Sequence, residues 1–228
     1  MTGRKWLGKE ARAVRAVRKI VKLFSGRDPW WRREGLSPFW VAVTITVSPR
    51  TTAKLEREAV KRLMERFPGG AKEIAEAPLE DLEDAIRVSG MYRSKARAVK
   101  ALAEWELEGP GVASLADADL EEARETLKSL PGIGDKVADV ILMALGHPIL
   151  PVDVHIGRVA KRLGLVPENA GYAEIREALE DIFRPEERMT AHFALIEFGR
   201  RVCKARPLCD RCPVAESCPS RRSRVQSR

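Results

Sequence analysis

The chain has 228 residues, a formal net charge of +8 and an isoelectric point near 9.5. That length is enough for one large or two small packed domains, and the positive charge indicates either a polyanionic partner such as nucleic acid or a merely basic surface. No apolar run approaches the roughly 18 residues of a membrane span, and the basic N-terminus has no signal-peptide core, so we expect an intracellular protein.

Two features of the composition narrow the class further. All the cysteines lie after residue 202, which excludes a disulfide framework for the whole fold and favours a local metal clip. The chain has one asparagine, Asn169, and one glutamine, Gln226, among abundant Arg, Glu, Lys and Pro. This composition is typical of proteins from organisms that grow at high temperature.

The first segments of the chain alternate between helix and linker patterns. From Trp6 to Phe24, apolar residues recur at three- and four-residue steps, which predicts an amphipathic helix with a basic, solvated outer face. The segment Ser25–Pro38 carries two prolines and predicts a linker. Its Trp30 and Trp31 are expected to pack against a helix, with base stacking as the alternative.

The stretch Phe39–Val47 is β-branched and nearly continuously apolar, so its periodicity alone permits a buried strand. Nothing else in the chain offers it a partner strand. We therefore predict an all-α chain in which this stretch is a buried helix, because tertiary context overrides local propensity. The other helical patterns span 54–67, 79–88, 94–107, 120–130, 136–145, 154–163, 173–183 and 186–202.

A short L-P-G-I-G-D segment, Leu130–Asp135, joins two of these helices and predicts a tight hairpin. Gly132 and Gly134 permit positive φ and leave backbone N–H groups uncovered. Such a nest at a helix N-terminus is suited to a backbone phosphate. An ordinary helix-helix turn is the alternative, since Pro and Gly are general turn-formers.

The hairpin resembles the helix-hairpin-helix motif, and the following G-D-K-V-A-D-V-I-L resembles the segment that carries the lysine nucleophile in bifunctional glycosylases of the endonuclease III family. The resemblance implies that Lys136 attacks C1′ of a damaged nucleotide and cleaves the strand through a Schiff base. Its place in the first helical turn favours the neutral amine. Taken alone, Lys136 would be read as a surface lysine that pairs with phosphate.

Asp153 opens V-D-V-H-I-G-R-V, just before a new helical pattern. By itself it is a good helix N-cap. The resemblance implies a second role, because the family's catalytic aspartate lies at this spacing and stabilises the oxocarbenium-like sugar. Val154 stands where the family commonly has threonine, and His155 is interpreted as a phosphate contact or a support for the aspartate.

The cysteines form a C-x5-C-x2-C-x5-C loop after a helix, and its spacing fits either zinc or a [4Fe–4S] cluster. The endonuclease III family has a similar loop that holds a [4Fe–4S] cluster, usually with six residues between the first two cysteines where this chain has five. We favour iron–sulfur on that resemblance. Basic residues of the loop are expected to contact the DNA backbone. The predicted ligands are Cys203, Cys209, Cys212 and Cys218.

Two further loops match the family's DNA-contacting loops. S-P-R-T-T, at 48–52, carries Arg50 where some members have glutamine. G-M-Y-R-S-K-A, at 90–96, places Met91 as a wedge that fills the gap left by an extruded nucleotide, although Met91 as core filler is the alternative. Tyr92 and Lys95 of the same loop are predicted to bind DNA.

The resemblance implies an all-α, two-domain helix-hairpin-helix glycosylase fold. The expected six-helix domain spans 37–146, and a second helical domain with the four-cysteine loop combines 1–36 with 147–228. Lys136 and Asp153 are expected to face each other across the groove between the domains.

The implied function is that of a DNA glycosylase and abasic-site lyase of base excision repair. It would be a monomer acting on double-stranded DNA with damaged bases, oxidised pyrimidines foremost. Arg50 and Val154 leave room for another lesion, including an oxidised purine or a mismatched base. The competing readings are a monofunctional mismatch or alkylated-base glycosylase of the same fold, a non-enzymatic helix-hairpin-helix module, and a zinc-clip interaction protein.

Overall fold

A computed structural model describes residues 9–26 and 29–221. In these ranges the regular structure is entirely helical, which confirms the predicted all-α class. No helix of the described part is long and apolar enough to cross a membrane. Trp6, with which the first predicted helix begins, and most of the basic tail, including Gln226, lie outside the described residues.

The α-helices are numbered in chain order. They are α1 (Lys9–Phe24), α2 (Trp30–Arg33), α3 (Pro38–Val47), α4 (Ala53–Arg66), α5 (Ala71–Glu76), α6 (Leu79–Ile86), α7 (Tyr92–Glu108), α8 (Leu120–Ser129), α9 (Asp135–Leu145), α10 (Val154–Leu163), α11 (Tyr172–Glu180) and α12 (Arg188–Arg201). Short 3₁₀ turns connect several of them, among them Arg87–Ser89 before α7.

The chain divides into two compact units. One, which we call the hairpin unit, is Pro29–His147; the other, the cysteine unit, joins Met1–Asp28 to Pro148–Arg228. The predicted boundary before Ser37 therefore falls inside the hairpin unit. The reason is that Trp30 and Trp31 are buried, and the Trp30 indole Nε1 donates to Glu56 Oε1 at 2.8 Å.

Helix α3 is the centre of the hairpin unit. It packs against α4, α7 and α9, and its residues from Val41 to Val47 are all buried. The hydroxyls of Thr44 and Thr46 donate to the carbonyls of Trp40 and Ala42, each at 2.8 Å. Burial on every side and internal hydrogen bonds for both buried hydroxyls explain why this β-branched segment is a helix.

The sequence patterns did not predict α2 or α5. Helix α5 follows a Pro-Gly-Gly turn and has only six residues, too few for a periodic signal. It is stabilised from outside, because the ammonium of Lys100 on α7 donates to the carbonyls of Ala75 and Ala77, each at 2.7 Å. Such contacts satisfy the free carbonyls at a helix C-terminus.

In the cysteine unit, α1 and α10 both pack against α12. The inner face of α1 is buried through Val17 and Ile20, whereas Arg15 and Lys19 are exposed. Gly199 of α12 permits the close approach of α10, because a Cβ there would lie 2.7 Å from the Cβ of His155. The N-terminal helix and the C-terminal third thus share one core.

Candidate functional site

The predicted hairpin lies between α8 and α9. Ile133 N donates to Leu130 O at 3.2 Å and closes the turn. Gly132 has φ +80°, and a Cβ there would lie 3.0 Å from the Cβ of Ala98 on α7. This position therefore requires glycine for both its conformation and its packing. Gly134 differs from the expectation, since its φ is −102°, which any residue adopts.

Gly134 is instead distinguished by open space. A Cβ there would meet no atom within 4 Å. Among the described residues, the backbone N–H groups of Gly132 and Gly134 donate to no backbone acceptor. Both lie just before the N-terminus of α9, an 11-residue helix. Uncovered N–H groups at the positive end of a helix form a site for an anion such as a phosphate.

A buried ion pair holds the two hairpin helices together. Arg124 Nε of α8 donates to Asp139 Oδ1 of α9 at 2.7 Å, and both side chains are almost fully buried, at 7% and 0% exposure. The guanidinium also pairs with Glu121. Asp139 lies one turn after Lys136 on α9, so the pair fixes the helix that carries the predicted nucleophile.

Replacing Asp139 by alanine is expected to destabilise the protein by about 3–5 kcal/mol, because the Arg124 charge stays buried without its main partner. Denaturant unfolding measures this cost. Arg62→Ala is the control, since Arg62 pairs with Glu58 at the surface and should cost less than about 1 kcal/mol. Equal effects of the two substitutions would contradict a structural role for the buried pair.

Lys136 is the second residue of α9, directly behind the hairpin nest, and is partly exposed. The residue before it, Asp135, is an acidic side chain beside a site suited to anions. Lys128 of α8 compensates that charge, with Nζ 3.2 Å from Asp135 and 2.9 Å from Glu125. Lys128 thus offsets the negative charge that Asp135 places beside the nest.

Asp153 is the N-cap of α10. One carboxylate oxygen, Oδ1, accepts from His155 N at 2.9 Å and from Ile156 N at 2.8 Å. Both of these hydrogen bonds end on Oδ1, and within the described part of the cysteine unit Oδ2 accepts none. The predicted cap and the predicted catalytic role are thus compatible, because one oxygen orients the carboxylate and the other is available to a substrate.

The two residues after Asp153 differ in their surroundings. Val154 is 76% exposed, an unusual position for a large aliphatic side chain. His155 is held by Arg158, whose Nη2 lies 2.9 Å from the ring Nδ1. Burial lowers the pKa of His155, and Arg158 and Arg200 lower it further, against the opposing effects of the Asp153 charge and a hydrogen bond with the backbone of Gly199. Because arginine can only donate, Nδ1 accepts, and the neutral ring presents Nε2–H as a donor.

The cysteine loop is held by α10. Arg158 Nε donates to Cys203 O at 2.8 Å. Arg162 donates to Lys204 O at 2.6 Å and to Ala205 O at 3.0 Å, and its Nη1 lies 3.4 Å from Cys203 Sγ. Helix α10, which Asp153 caps, therefore also fixes the backbone of the loop.

All four cysteines line one cavity, which is partly open to solvent, and none of them forms a disulfide. Burial raises the pKa of Cys212 and Cys218, and the other thiols of the loop raise it further. With raised pKa values, these cysteines would become thiolates when a cationic group binds in the cavity and neutralises them. Among the described residues, no three His, Cys, Asp or Glu side chains are arranged to hold a metal ion.

The two predicted DNA-contacting loops share a strained backbone. Arg50 and Met91, with φ +53° and +50°, are the two non-glycine residues with positive φ in the described ranges. Both are exposed, Met91 at 50%, so Met91 is not core filler. Strain of this kind persists where the surrounding structure enforces it, and it is frequent at functional sites.

Tyr92 and Lys95 follow Met91 but are placed differently. The Tyr92 ring lies partly exposed beside two guanidinium groups, those of Arg87 at 4.6 Å and Arg93 at 5.8 Å. Lys95 is only 4% exposed, and its ammonium donates to Ser89 O at 2.8 Å. A buried ammonium cannot reach a phosphate, so the predicted DNA contact of Lys95 is corrected to a contact within the hairpin unit.

An exposed backbone nest at a helix N-terminus, set in an all-α chain, defines a helix-hairpin-helix protein. The chain belongs to the HhH-GPD superfamily of base excision DNA repair proteins, whose family model matches residues 43–185. The family expected from the hairpin, the lysine and the cysteine loop is confirmed.

Individual relatives agree with this assignment. Endonuclease III of Thermotoga maritima is 35% identical over 212 residues, covering 91% of this chain and 92% of the relative. A non-covalent endonuclease III–DNA complex superposes with a TM-score of 0.80 at 29% identity, and a trapped covalent endonuclease III–DNA intermediate with 0.77 at 30% identity. Each covers 96% of this chain and 99% of the other. Family, relatives and fold together support a DNA glycosylase and abasic-site lyase of base excision repair.

Proposed function

We propose that this chain removes oxidised pyrimidines from double-stranded DNA and nicks the strand at the same site through Lys136. The observation that carries the proposal is the place of Lys136, directly behind an open phosphate nest at the N-terminus of α9. A phosphate held there would bring the neighbouring sugar near the lysine amine. The trapped covalent intermediate of endonuclease III with DNA supports covalent chemistry of this kind.

In the proposed reaction, the neutral amine of Lys136 forms a bond to C1′ as the bond from C1′ to the base breaks. The base leaves with the bonding electrons and takes up a proton. The bond from C1′ to the ring oxygen O4′ then breaks, O4′ takes up a proton, and the opened sugar becomes an iminium. Loss of a C2′ proton then expels the 3′-phosphate, and water hydrolyses the iminium to restore the amine. Asp153, with its second carboxylate oxygen, would stabilise the cationic sugar and accept a proton.

This chemistry requires Lys136 and Asp153 at one nucleotide, although they belong to different units. The Nε2–H of His155 would donate to a phosphate near Asp153, and Arg50 and Met91 would enter the duplex. We further propose a monomer that acts inside a cell of a heat-adapted organism, on the grounds of its charge and composition.

Two substitutions distinguish the structural role of Gly132 from the proposed phosphate-binding role of Gly134. Gly132→Ala is expected to cost about 1–3 kcal/mol of stability, because its φ and the contact with Ala98 exclude a side chain. Gly134 is the N-cap of α9, where alanine is less favourable than glycine, so Gly134→Ala should cost less than about 1 kcal/mol, while its methyl group hinders the approach of a phosphate. Its affinity for duplex DNA is expected to fall about tenfold, close to the net worth of a charge-assisted hydrogen bond.

Thermal unfolding and a binding titration at fixed salt measure the two effects. The comparison is internal, because each variant adds one methyl group to the same turn. Unchanged DNA affinity of Gly134→Ala would show that the turn only joins two helices.

We propose that the cysteine loop holds a [4Fe–4S] cluster. Four free thiols on one cavity fit a cluster, in which each thiolate binds a different iron, whereas zinc needs all four sulfurs about 2.3 Å from one ion. When bound, the cluster supplies a cationic core that fixes the loop and sets a redox potential. The loop's own exposed cations, Lys204, Arg206 and Arg211, would bind the DNA backbone.

The purified protein is expected to be brown and to contain about four irons per chain. Cys212→Ser should lose iron and visible absorbance together and destabilise the cysteine unit, since the ligand lies against its core. Iron and zinc analysis beside the absorption spectrum measures this. The chain has no other cysteine, so thiol titration reports on these ligands alone, and a colourless protein with one zinc would contradict the proposal.

A panel of duplex oligonucleotides tests the proposed function. Each duplex carries thymine glycol, 8-oxoguanine, a G·T mismatch, an alkylated purine or an abasic site, and base release and strand nicking are measured separately. Release and nicking on thymine glycol are expected. Release without nicking would favour a monofunctional glycosylase, and binding without either would favour a DNA-binding module. Preference for another lesion would indicate Arg50 and Val154 as candidate determinants of the specificity.

A further inference from the structure

The turn that carries Met91 has a strained and unusual backbone. After the 3₁₀ turn Arg87–Ser89, Gly90 has φ +66° and Met91 φ +50°, so two successive residues lie outside the ordinary region. Glycine adopts such a conformation at no steric cost, but methionine does not. Contacts from the surrounding structure must therefore hold the backbone of Met91 in this conformation.

The buried ammonium of Lys95 contacts this turn from the interior of the hairpin unit. Its Nζ donates to Ser89 O at 2.8 Å and lies 3.3 Å from Ser89 Oγ. Ser89 is itself buried, and its hydroxyl donates to Ile86 O at 2.8 Å. Lys95 thus ties the first turn of α7 to the residue just before Gly90 and, through Ser89, to the end of α6.

Burial of a lysine at this position is costly. Desolvation lowers the pKa of Lys95 to about 8, partly opposed by the negative charge of Glu56. An apolar side chain of the same length would avoid this cost, because the neighbouring residues Ala96 and Val99 are fully buried. The ammonium group therefore contributes something that packing alone does not, and both of its hydrogen bonds are with Ser89.

The side chain presented by the turn is exposed and apolar. Met91 is 50% exposed, and Tyr92 beside it is held by the guanidinium groups of Arg87 and Arg93. We infer that Lys95 is a positioning residue, whose ammonium latches Ser89 so that the turn holds Met91 ready to fill the gap of an extruded nucleotide. This inference rests on the proposed function, since a wedge has a use only where a base leaves the stack.

Lys95→Met tests the latch, because it keeps the aliphatic stem and removes the donors. The matched control is Lys100→Met, on the same helix, whose ammonium also donates to two backbone oxygens but those of α5. Two substrates separate positioning from folding: a damaged base in a duplex, which requires extrusion, and an abasic site in a single strand, which does not. All rates are single-turnover and measured where each variant is folded.

Lys95→Met is expected to lower the duplex rate at least about tenfold and the single-strand rate less than about twofold. Lys100→Met should leave both rates within about twofold of the parent protein. In a double-mutant cycle, Lys95→Met should add nothing to Met91→Ala, because both remove the same wedge. Equal losses on both substrates, or additive effects in the cycle, would overturn the inference.

Amide hydrogen exchange provides a readout that does not depend on activity. In Lys95→Met, the amides of residues 89–92 should exchange faster, whereas in Lys100→Met the change should be confined to α5 and its surroundings. Unchanged exchange at 89–92 in Lys95→Met would overturn the latch. A parent protein that processes no substrate would overturn the proposed function, and the exchange experiment would still decide whether Lys95 holds the turn.

Discussion

Replacing Lys136 by alanine is expected to abolish the covalent adduct that borohydride traps between this protein and DNA carrying thymine glycol or an abasic site. The amine is the atom that bonds to C1′, so its loss should lower strand nicking by at least about a thousandfold. Alanine is the strongest helix former, and Lys136 is partly exposed, so the fold should persist. The measurement is adduct yield on a denaturing gel beside the thermal unfolding curve.

Lys72→Ala is a matched control for this substitution. Lys72 is also the second residue of its helix, α5, and is exposed in the same unit. Its loss removes one positive charge without touching the hairpin, so adduct yield should stay at the parent level. An adduct that persists in Lys136→Ala at the parent yield would assign the nucleophile to another amine and remove the basis of the proposed mechanism.

The sequence predicted those helices whose apolar residues repeat at a regular spacing. Helices α4, α7 and α10 repeat apolar residues at helical spacing, and their predicted bounds lie within two residues of those in the structure. Helix α3 has no such pattern, and its prediction as a helix depends on the absence of any partner strand in the rest of the sequence. Helix α5 was missed because its capping contact comes from Lys100, far along the chain.

The candidate site was predictable only where residue type and spacing were sufficient. The hairpin, Asp153 and the cysteine loop are local patterns, and the structure places each at the helix end or loop expected from it. Whether a side chain is buried, by contrast, depends on contacts with distant parts of the chain. Lys95 belongs to the segment 90–96, which resembles a DNA-contacting loop of the family, yet α7 places its ammonium inward, against Ser89. The contacts of Arg158 and Arg162 with the cysteine loop bridge about forty residues and have no sequence signature.

Asp153 offers a substitution that separates its two roles. Asparagine caps a helix about as well as aspartate, because its side-chain oxygen can accept the same bonds from His155 N and Ile156 N. Asp153→Asn should therefore change stability by only a few tenths of a kcal/mol, whereas Asp153→Ala should cost about 1 kcal/mol. The charge, however, is lost in both. Base release is expected to fall about 10²–10⁴-fold in each variant, as for loss of a general acid–base or electrostatic group.

Asp119 provides the control, since it caps α8 in the same manner, with Oδ1 accepting from Glu121 N at 2.9 Å and Glu122 N at 3.2 Å. Asp119→Asn and Asp119→Ala should repeat the two stability changes and leave single-turnover base release unchanged. If Asp153→Asn keeps the parent rate, the carboxylate is only a cap, and the cationic sugar must be stabilised elsewhere. If its rate falls at unchanged stability, the second oxygen of Asp153 acts on the substrate, because the cap itself is intact.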